Sequence, residues 1–170
     1  IQHIESSFYR IPLKRPWGDQ THRVTHIELI LTDVKADNGL TGTGFSYTVG
    51  VGGQAIRIMI DEYLAPKLVG SEVAPRVLWY QLWREAHDSG GGGISTMAIA
   101  ALDIAFWDLI AKERRQPLVE VLGQFRPSIP AYGSGVNLNL SLAELEEPVA
   151  RWLEAGYSAV KIKVGKPDLA

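Results

Sequence analysis

Cysteine is absent from the 170 residues, which excludes disulfides and thiolate metal sites and fits a reducing cytoplasm. Histidine is scarce: His3, His22, His26 and His87 form no HExxH or other tight ligand spacing, so no metal motif is legible. A basic excess is also missing. The net charge is −2, without the polybasic runs that nucleic acid or an anionic membrane surface would attract, so neither is expected as a partner. The opening stretch IQHIESSFYRIPL alternates polar and apolar residues and lacks the charged-then-apolar order of a signal peptide. No apolar run is long enough to suggest a membrane span. There is no internal repeat, and SGGGG at 89–93 is the one low-complexity tract. That tract precedes a helix but lacks the GK[ST] of a phosphate-binding loop, so it reads as a connection. GTGFSY lacks both the third glycine and the βαβ context of a dinucleotide fingerprint.

What is present divides into two unlike parts. Residues 1–12 read as a strand with Ile4, Phe8 and Ile11 as its apolar members, closed by Pro12. PLKRPWGDQTHR reads as a loop, with two prolines and a glycine. VTHIELILTDV is a β-branched, half-alternating strand. Asp37-Asn38-Gly39 signals a turn, and GTGFSYTV the return strand, before a second glycine-rich loop, VGVGG. Helices follow. Residues 55–64 place apolar side chains at 56, 59, 60, 63 and 64, with Pro66 as the stop. Pro75 suits the first turn of a second helix. STMAIAALDIAFWDLIAKERRQ reads as a third, capped by Ser95, with a stripe of Ala98, Ala101, Leu102, Ala105, Phe106, Leu109 and Ile110. Lys112, Arg114 and Arg115 suit its last turn.

From about residue 128 the rhythm becomes strand, helix, strand. SIPAYGSG is a strand. Ser141 and Glu144 have capping-box spacing, and the helix they open buries Leu142, Leu145, Val149, Trp152 and Leu153 before Gly156 ends it. YSAVKIKVG is the next strand, and one βαβ unit makes the two strands parallel. In that strand Lys161, Lys163 and Gly165 share one face, opposite Val160, Ile162 and Val164. Two ammonium groups on a partly enclosed face disfavour each other's charge, and a lysine so tuned can serve as a general base. The competing reading is an exposed edge strand defended by its lysines.

Five segments in this order (ADNGLTGTGFSYT, IAALDIAFWDLIAK, QPLVEVLGQ, PAYGSG and AVKIKVG) resemble the enolase superfamily, and within it the mandelate racemase/muconate lactonizing enzyme group. The resemblance covers essentially the whole chain. YRIPLKRP, GTGFSYTVGVGGQAI and KIKVGKPDLA look most like acid-sugar dehydratases of the talarate/galactarate type.

The resemblance implies an α+β capping domain over 1–127, an antiparallel meander plus helices. The first strands of a TIM-type (β/α) barrel follow over 128–170, two strands and one helix. It implies an active site at the carboxyl ends of the barrel strands, beneath two cap loops, PWGDQTHR and YTVGVGG. Trp17, Asp19, His22, Tyr47 and Thr48, with Pro16, are then candidates for substrate binding, or else pack their loops. Ser134 either reaches the substrate or caps a strand end. The implied chemistry is removal of the proton α to a carboxylate, with Mg²⁺ stabilising the enediolate. Lys163 is the implied base and Lys161 its electrostatic partner. A dehydration, a racemisation or a cycloisomerisation would follow. The substrate is a small carboxylate, and the whole protein is expected to be a cytoplasmic homo-oligomer.

Two barrel strands fall short of the roughly 250 residues of a barrel. A fragment of a longer protein is therefore expected, inactive alone, with the family's metal ligands beyond residue 170. Asp103 and Asp108, five apart on a helix, do not replace them and read as surface or capping acids. A reading of another class remains open: a non-catalytic binding or oligomerisation module.

Overall fold

A computed structural model describes residues 1–18, 23–135, 138 and 140–165. The chain divides into two compact units, 1–11 with 27–124, and 12–26 with 125–170. Residues 12–26, which end β1 and begin β2, group with the second unit.

The first unit contains most of the meander. Strands β1 (His3–Gly18), β2 (Arg23–Lys35) and β3 (Thr41–Thr48) lie in the order β1-β2-β3. β2 and β3 are antiparallel, with Lys35 opposite Thr41 and Glu28 opposite Thr48. The turn between them is Asp37-Asn38-Gly39, where Asn38 Oδ1 accepts the Leu40 N–H at 3.0 Å and Gly39 takes φ 84°. One expectation fails here. β1 does not stop at Pro12; it continues through Pro12 and Pro16 to Gly18. β1 is an edge strand, where a residue without an N–H is tolerated on the open side. Two prolines four residues apart present their missing donors to the same side.

The helices cover one face of this sheet. α1 (Gly53–Ile58) continues through a wide turn, Met59–Leu64, and a tight one, Ala65–Lys67, where Pro66 ends the run. α2 spans Pro75–Ala86, α3 Ile94–Arg114 and α4 Leu118–Val121. α3 is the core helix: Ala98, Ala101, Leu102, Ala105, Phe106 and Leu109 are all buried. By length and composition alone it could cross a membrane, contrary to the expectation that no run is long enough, but half of that stretch is buried inside the protein. Ser95 is not its cap. Gly93 holds that position, and the Ser95 hydroxyl donates to the Gly90 and Gly92 carbonyls at 2.5 and 3.0 Å. Those bonds fold the glycine tract back onto the first turn.

α3 lies directly on β3, and the small residues on both sides explain how. A Cβ at Gly44 would overlap the Ala101 carbonyl oxygen, and one at Gly42 the Ala105 carbonyl oxygen. Polar bonds run along the same seam. The Ser46 hydroxyl donates to the Met97 carbonyl at 2.6 Å, the Thr43 N–H to Asp108 at 2.8 Å, and Lys112 Nζ to the Thr41 carbonyl at 2.8 Å. Asp108 is thus a helix-to-sheet tie rather than a surface acid. Asp103 is half-buried, and that burial raises its pKa against a hydrogen bond from Trp107.

The second unit holds β4 (Gly133–Ser134), α5 (Leu142–Glu154) and β5 (Val160–Lys161). β4 and β5 are parallel, as a βαβ unit requires. The capping box forms: Ser141 Oγ accepts the Glu144 N–H, and Glu144 Oε2 accepts the Ser141 N–H at 2.8 Å. Gly156 follows the helix at φ 87°. A Cβ at Gly133 would overlap the Trp152 side chain, so this glycine lets α5 close onto β4. The expected buried face of α5 is only partly buried. Leu145, Val149 and Trp152 are half-buried, while Leu142 and Leu153 are exposed. The strands are shorter than expected too. Two strands and one helix enclose little apolar surface, and an isolated strand pair is marginal.

Gly44→Ala is expected to cost at least about 1–3 kcal/mol, because a methyl group at this contact must push helix from sheet. Gly91→Ala, where a Cβ meets nothing within 4 Å, is the control and should be near neutral. Chemical denaturation of the two variants measures the difference.

Candidate functional site

The sequence-predicted site residues fall into three groups. The lysine group lies in the second unit. The β4–β5 register sets Ser134 opposite Lys161, held by a Gly133 N–H bond to the Ala159 carbonyl at 3.0 Å. Lys161 Nζ stands 5.5 Å from the centroid of the Tyr132 ring, a cation–π distance. Tyr132, Ser134 and Lys161 therefore form one cluster at the short ladder. Lys163 lies beyond the strand, in irregular backbone over 162–165. The expected ladder carrying Lys161 and Lys163 on one face is not formed, because β5 as described ends at Lys161. Both lysine side chains are exposed, as are Val160, Ile162 and Val164 on the supposed opposite face. The partial enclosure expected around the lysines is absent from the described residues.

The second group is the first loop. Trp17 is half-buried near the end of β1. Asp19 and His22 lie outside the described residues. Pro16 precedes Trp17 within the strand rather than in a loop.

The third group, Tyr47 and Thr48, ends β3 in the first unit. Alternation sends their side chains to opposite faces. Tyr47, 53% exposed, lies on the outer face opposite Leu29. Thr48 lies on the inner face, where its hydroxyl donates to Glu28 Oε2 at 3.0 Å.

Glu28 was not anticipated. It is only 4% exposed, and its carboxylate is fully engaged. Oε2 accepts the Gly53 N–H at 2.9 Å as well as the Thr48 hydroxyl. Oε1 faces Arg10 Nη2 at 3.2 Å. The bond from the Gly53 backbone is the main cause holding the Glu28 pKa below the ordinary carboxylate value; burial opposes it, and Thr48 and Arg10 assist. Gly53 must be glycine for this approach, since a Cβ would come within 2.7 Å of Phe8 and 2.9 Å of the Glu28 carboxylate. The signal was in the parity of β2. Val24, Ile30, Thr32 and Val34, all even positions, are buried, and Glu28 is in phase with them. A carboxylate on the buried face of a strand requires partners.

Among the described residues no three His, Asp or Glu side chains converge on a point that would hold a metal ion. The geometry therefore offers a cation-bearing strand end in one unit, and in the other a carboxylate that ties a glycine-rich loop at both ends.

The model for "Mandelate racemase / muconate lactonizing enzyme, N-terminal domain" matches residues 7–123. The 3,6-anhydro-α-L-galactonate cycloisomerase of Streptomyces coelicolor is 39% identical over 99% of this chain and 47% of its own length. A crystal structure of a racemase from S. coelicolor A3(2) with bound magnesium has a TM-score of 0.94 at 38% identity, over 99% of this chain and 48% of that one. L-Talarate/galactarate dehydratase from Salmonella typhimurium LT2, solved with magnesium and L-lyxarohydroxamate, has a TM-score of 0.89 at 29% identity, over 97% and 44%. The chain spans about half the length of the curated relatives named here.

The Glu28 contacts make stability depend on pH with a definite sign. A carboxyl whose folded pKa is depressed contributes stability above its unfolded value, near 4.5, and loses it as the pH falls through the folded value. Glu28→Gln should therefore be destabilising at neutral pH, and the gap from the unmodified protein should narrow below about pH 4.5. Denaturant midpoints measured across pH check this; a gap that persists undiminished in acid contradicts it.

Proposed function

The chain belongs to the mandelate racemase/muconate lactonizing enzyme family, and from that premise we propose that the whole protein removes the proton α to the carboxylate of an acid sugar. Lys163 is the base and Lys161 its electrostatic partner. The observation that carries this reading is the pair of lysines at the end of β5 and two residues beyond it, in a chain whose named relatives include two acid-sugar enzymes.

The Lys163 amine takes the α-proton, and the C–H electron pair moves onto the carboxylate as an enediolate. In a dehydration that pair returns to form a C=C bond as the β-hydroxyl leaves as water, which requires a proton from a second acid. Lys161 adds positive charge near the developing anion, with Tyr132 and Ser134 beside it on the ladder. Trp17, Asp19, His22, Tyr47, Thr48 and Ser134 are the proposed substrate-binding positions. Magnesium, present in both solved relatives named above, would supply charge neutralisation at the carboxylate. The described residues do not converge on a site for it, so they do not fit the ion by themselves.

The relation to the cycloisomerase, at 39% identity, favours a second reading for the fate of the enediolate. A cycloisomerisation conserves the mass of the substrate, whereas a dehydration lowers it by one water. Mass spectrometry of the product from the full-length protein, with Mg²⁺ and a panel of aldarates, aldonates and anhydro-aldonates, separates the two.

Lys163→Ala in the full-length protein should abolish exchange of the substrate α-hydrogen with solvent deuterium while leaving folding intact. A loss of at least about 10²–10⁴-fold is expected for a missing general base. Undiminished exchange in that variant removes Lys163 from the role.

A further inference from the structure

Loop 49–52 is Val-Gly-Val-Gly, and on its own such a sequence has little to hold it. Gly50 and Gly52 both sit at positive φ, 103° and 99°, where glycine's freedom is used in full. Val51, at the tip, is 85% exposed and anchors nothing. The residues flanking the loop on both sides are nevertheless fixed to one atom. Thr48, the last residue of β3, gives its hydroxyl to Glu28 Oε2, and Gly53, the first residue of α1, gives its N–H to the same oxygen. The Glu28 carboxylate is buried, while the loop it spans is exposed at its tip. Glu28 itself is held from the other side by Arg10 on the neighbouring strand β1.

We infer that Glu28 is a positioning residue: its carboxylate closes the two ends of loop 49–52 into one conformation and so presents the loop, with Val51 at its tip, to the substrate. This rests on the reading above, in which Tyr47, just ahead of that loop, is a substrate-binding position. It also changes the part given to Thr48. A hydroxyl donating to a buried carboxylate anchors the loop, and its proton is not available to a sugar oxygen in this conformation. A loop held in advance lowers the ordering cost of binding, so loosening it should raise KM more than it lowers kcat.

The test uses the full-length protein and two variants that keep side-chain shape. Glu28→Gln removes the charge; Thr48→Val removes one arm and is the milder change. Hydrogen–deuterium exchange is followed in the peptide spanning 48–56, with the α3 peptide as reference, and KM and kcat are measured for the best acid-sugar substrate with Mg²⁺. Faster loop exchange is expected by about tenfold or more, with α3 unchanged. KM should rise about tenfold in Glu28→Gln and less in Thr48→Val, with kcat within about threefold. Unchanged loop exchange in both variants overturns the clamp. Faster exchange with KM unchanged overturns its role toward substrate. If Glu28→Gln fails to fold, Thr48→Val carries the same two readouts. If the unmodified protein turns over no acid sugar, the proposed function fails; the clamp is then decided by exchange alone, standing if the loop accelerates and falling if it does not.

Discussion

The contact between α3 and β3 is the constraint on which the first unit depends. Backbone touches backbone there, because Gly42 and Gly44 lack the atoms that would hold the Ala101 and Ala105 carbonyls away. Dispersion and burial act over the whole length of the helix at this spacing. The hydrogen bonds of Ser46, Asp108 and Lys112 set where along the strand the helix sits. With β3 fixed, Thr48 comes opposite Glu28, and with that pair formed Gly53 can start α1 against the same carboxylate. The order of the glycine-rich loop thus descends from a helix–sheet contact at the other end of the strand.

Much of this fold was legible from the chain. The meander followed from β-branched alternation and the Asp-Asn-Gly turn. α3 followed from its wide stripe of alanine and leucine, and α5 from the Ser141–Glu144 capping box. The failures share a cause, since each required knowing the neighbour. Pro12 and Pro16 end a central strand but not an edge strand, and strand order is not written in β1 alone. Ser95 has the chemistry of a cap, yet the glycine tract ahead of it offers two carbonyls for its hydroxyl. Glu28 was hidden because a charged residue in a strand is usually solvated; only the burial of Ile30, Thr32 and Val34 around it turns its parity into a sign of a partnered carboxylate.

The candidate site was legible in a different sense. AVKIKVG pointed to two lysines, and the family relation gives them a proposed task, but the enclosed face expected of them requires more neighbours than β4 provides. Burial is cooperative: a strand with one partner cannot enclose a side chain, whatever its sequence. The first unit, by contrast, holds nearly all of the buried apolar residues among those described, and its loop clamp is complete within itself.

Everything proposed for the lysines turns on one atom, the Lys163 Nζ, and a crystal structure of the full-length protein with Mg²⁺ and a bound acid sugar, or an unreactive analogue of one, would show where it stands. Nζ is expected within about 3–3.5 Å of the α-carbon, in line with its C–H bond, with Lys161 nearby. A substrate whose α-carbon faces another base, with Lys163 turned away, would contradict it.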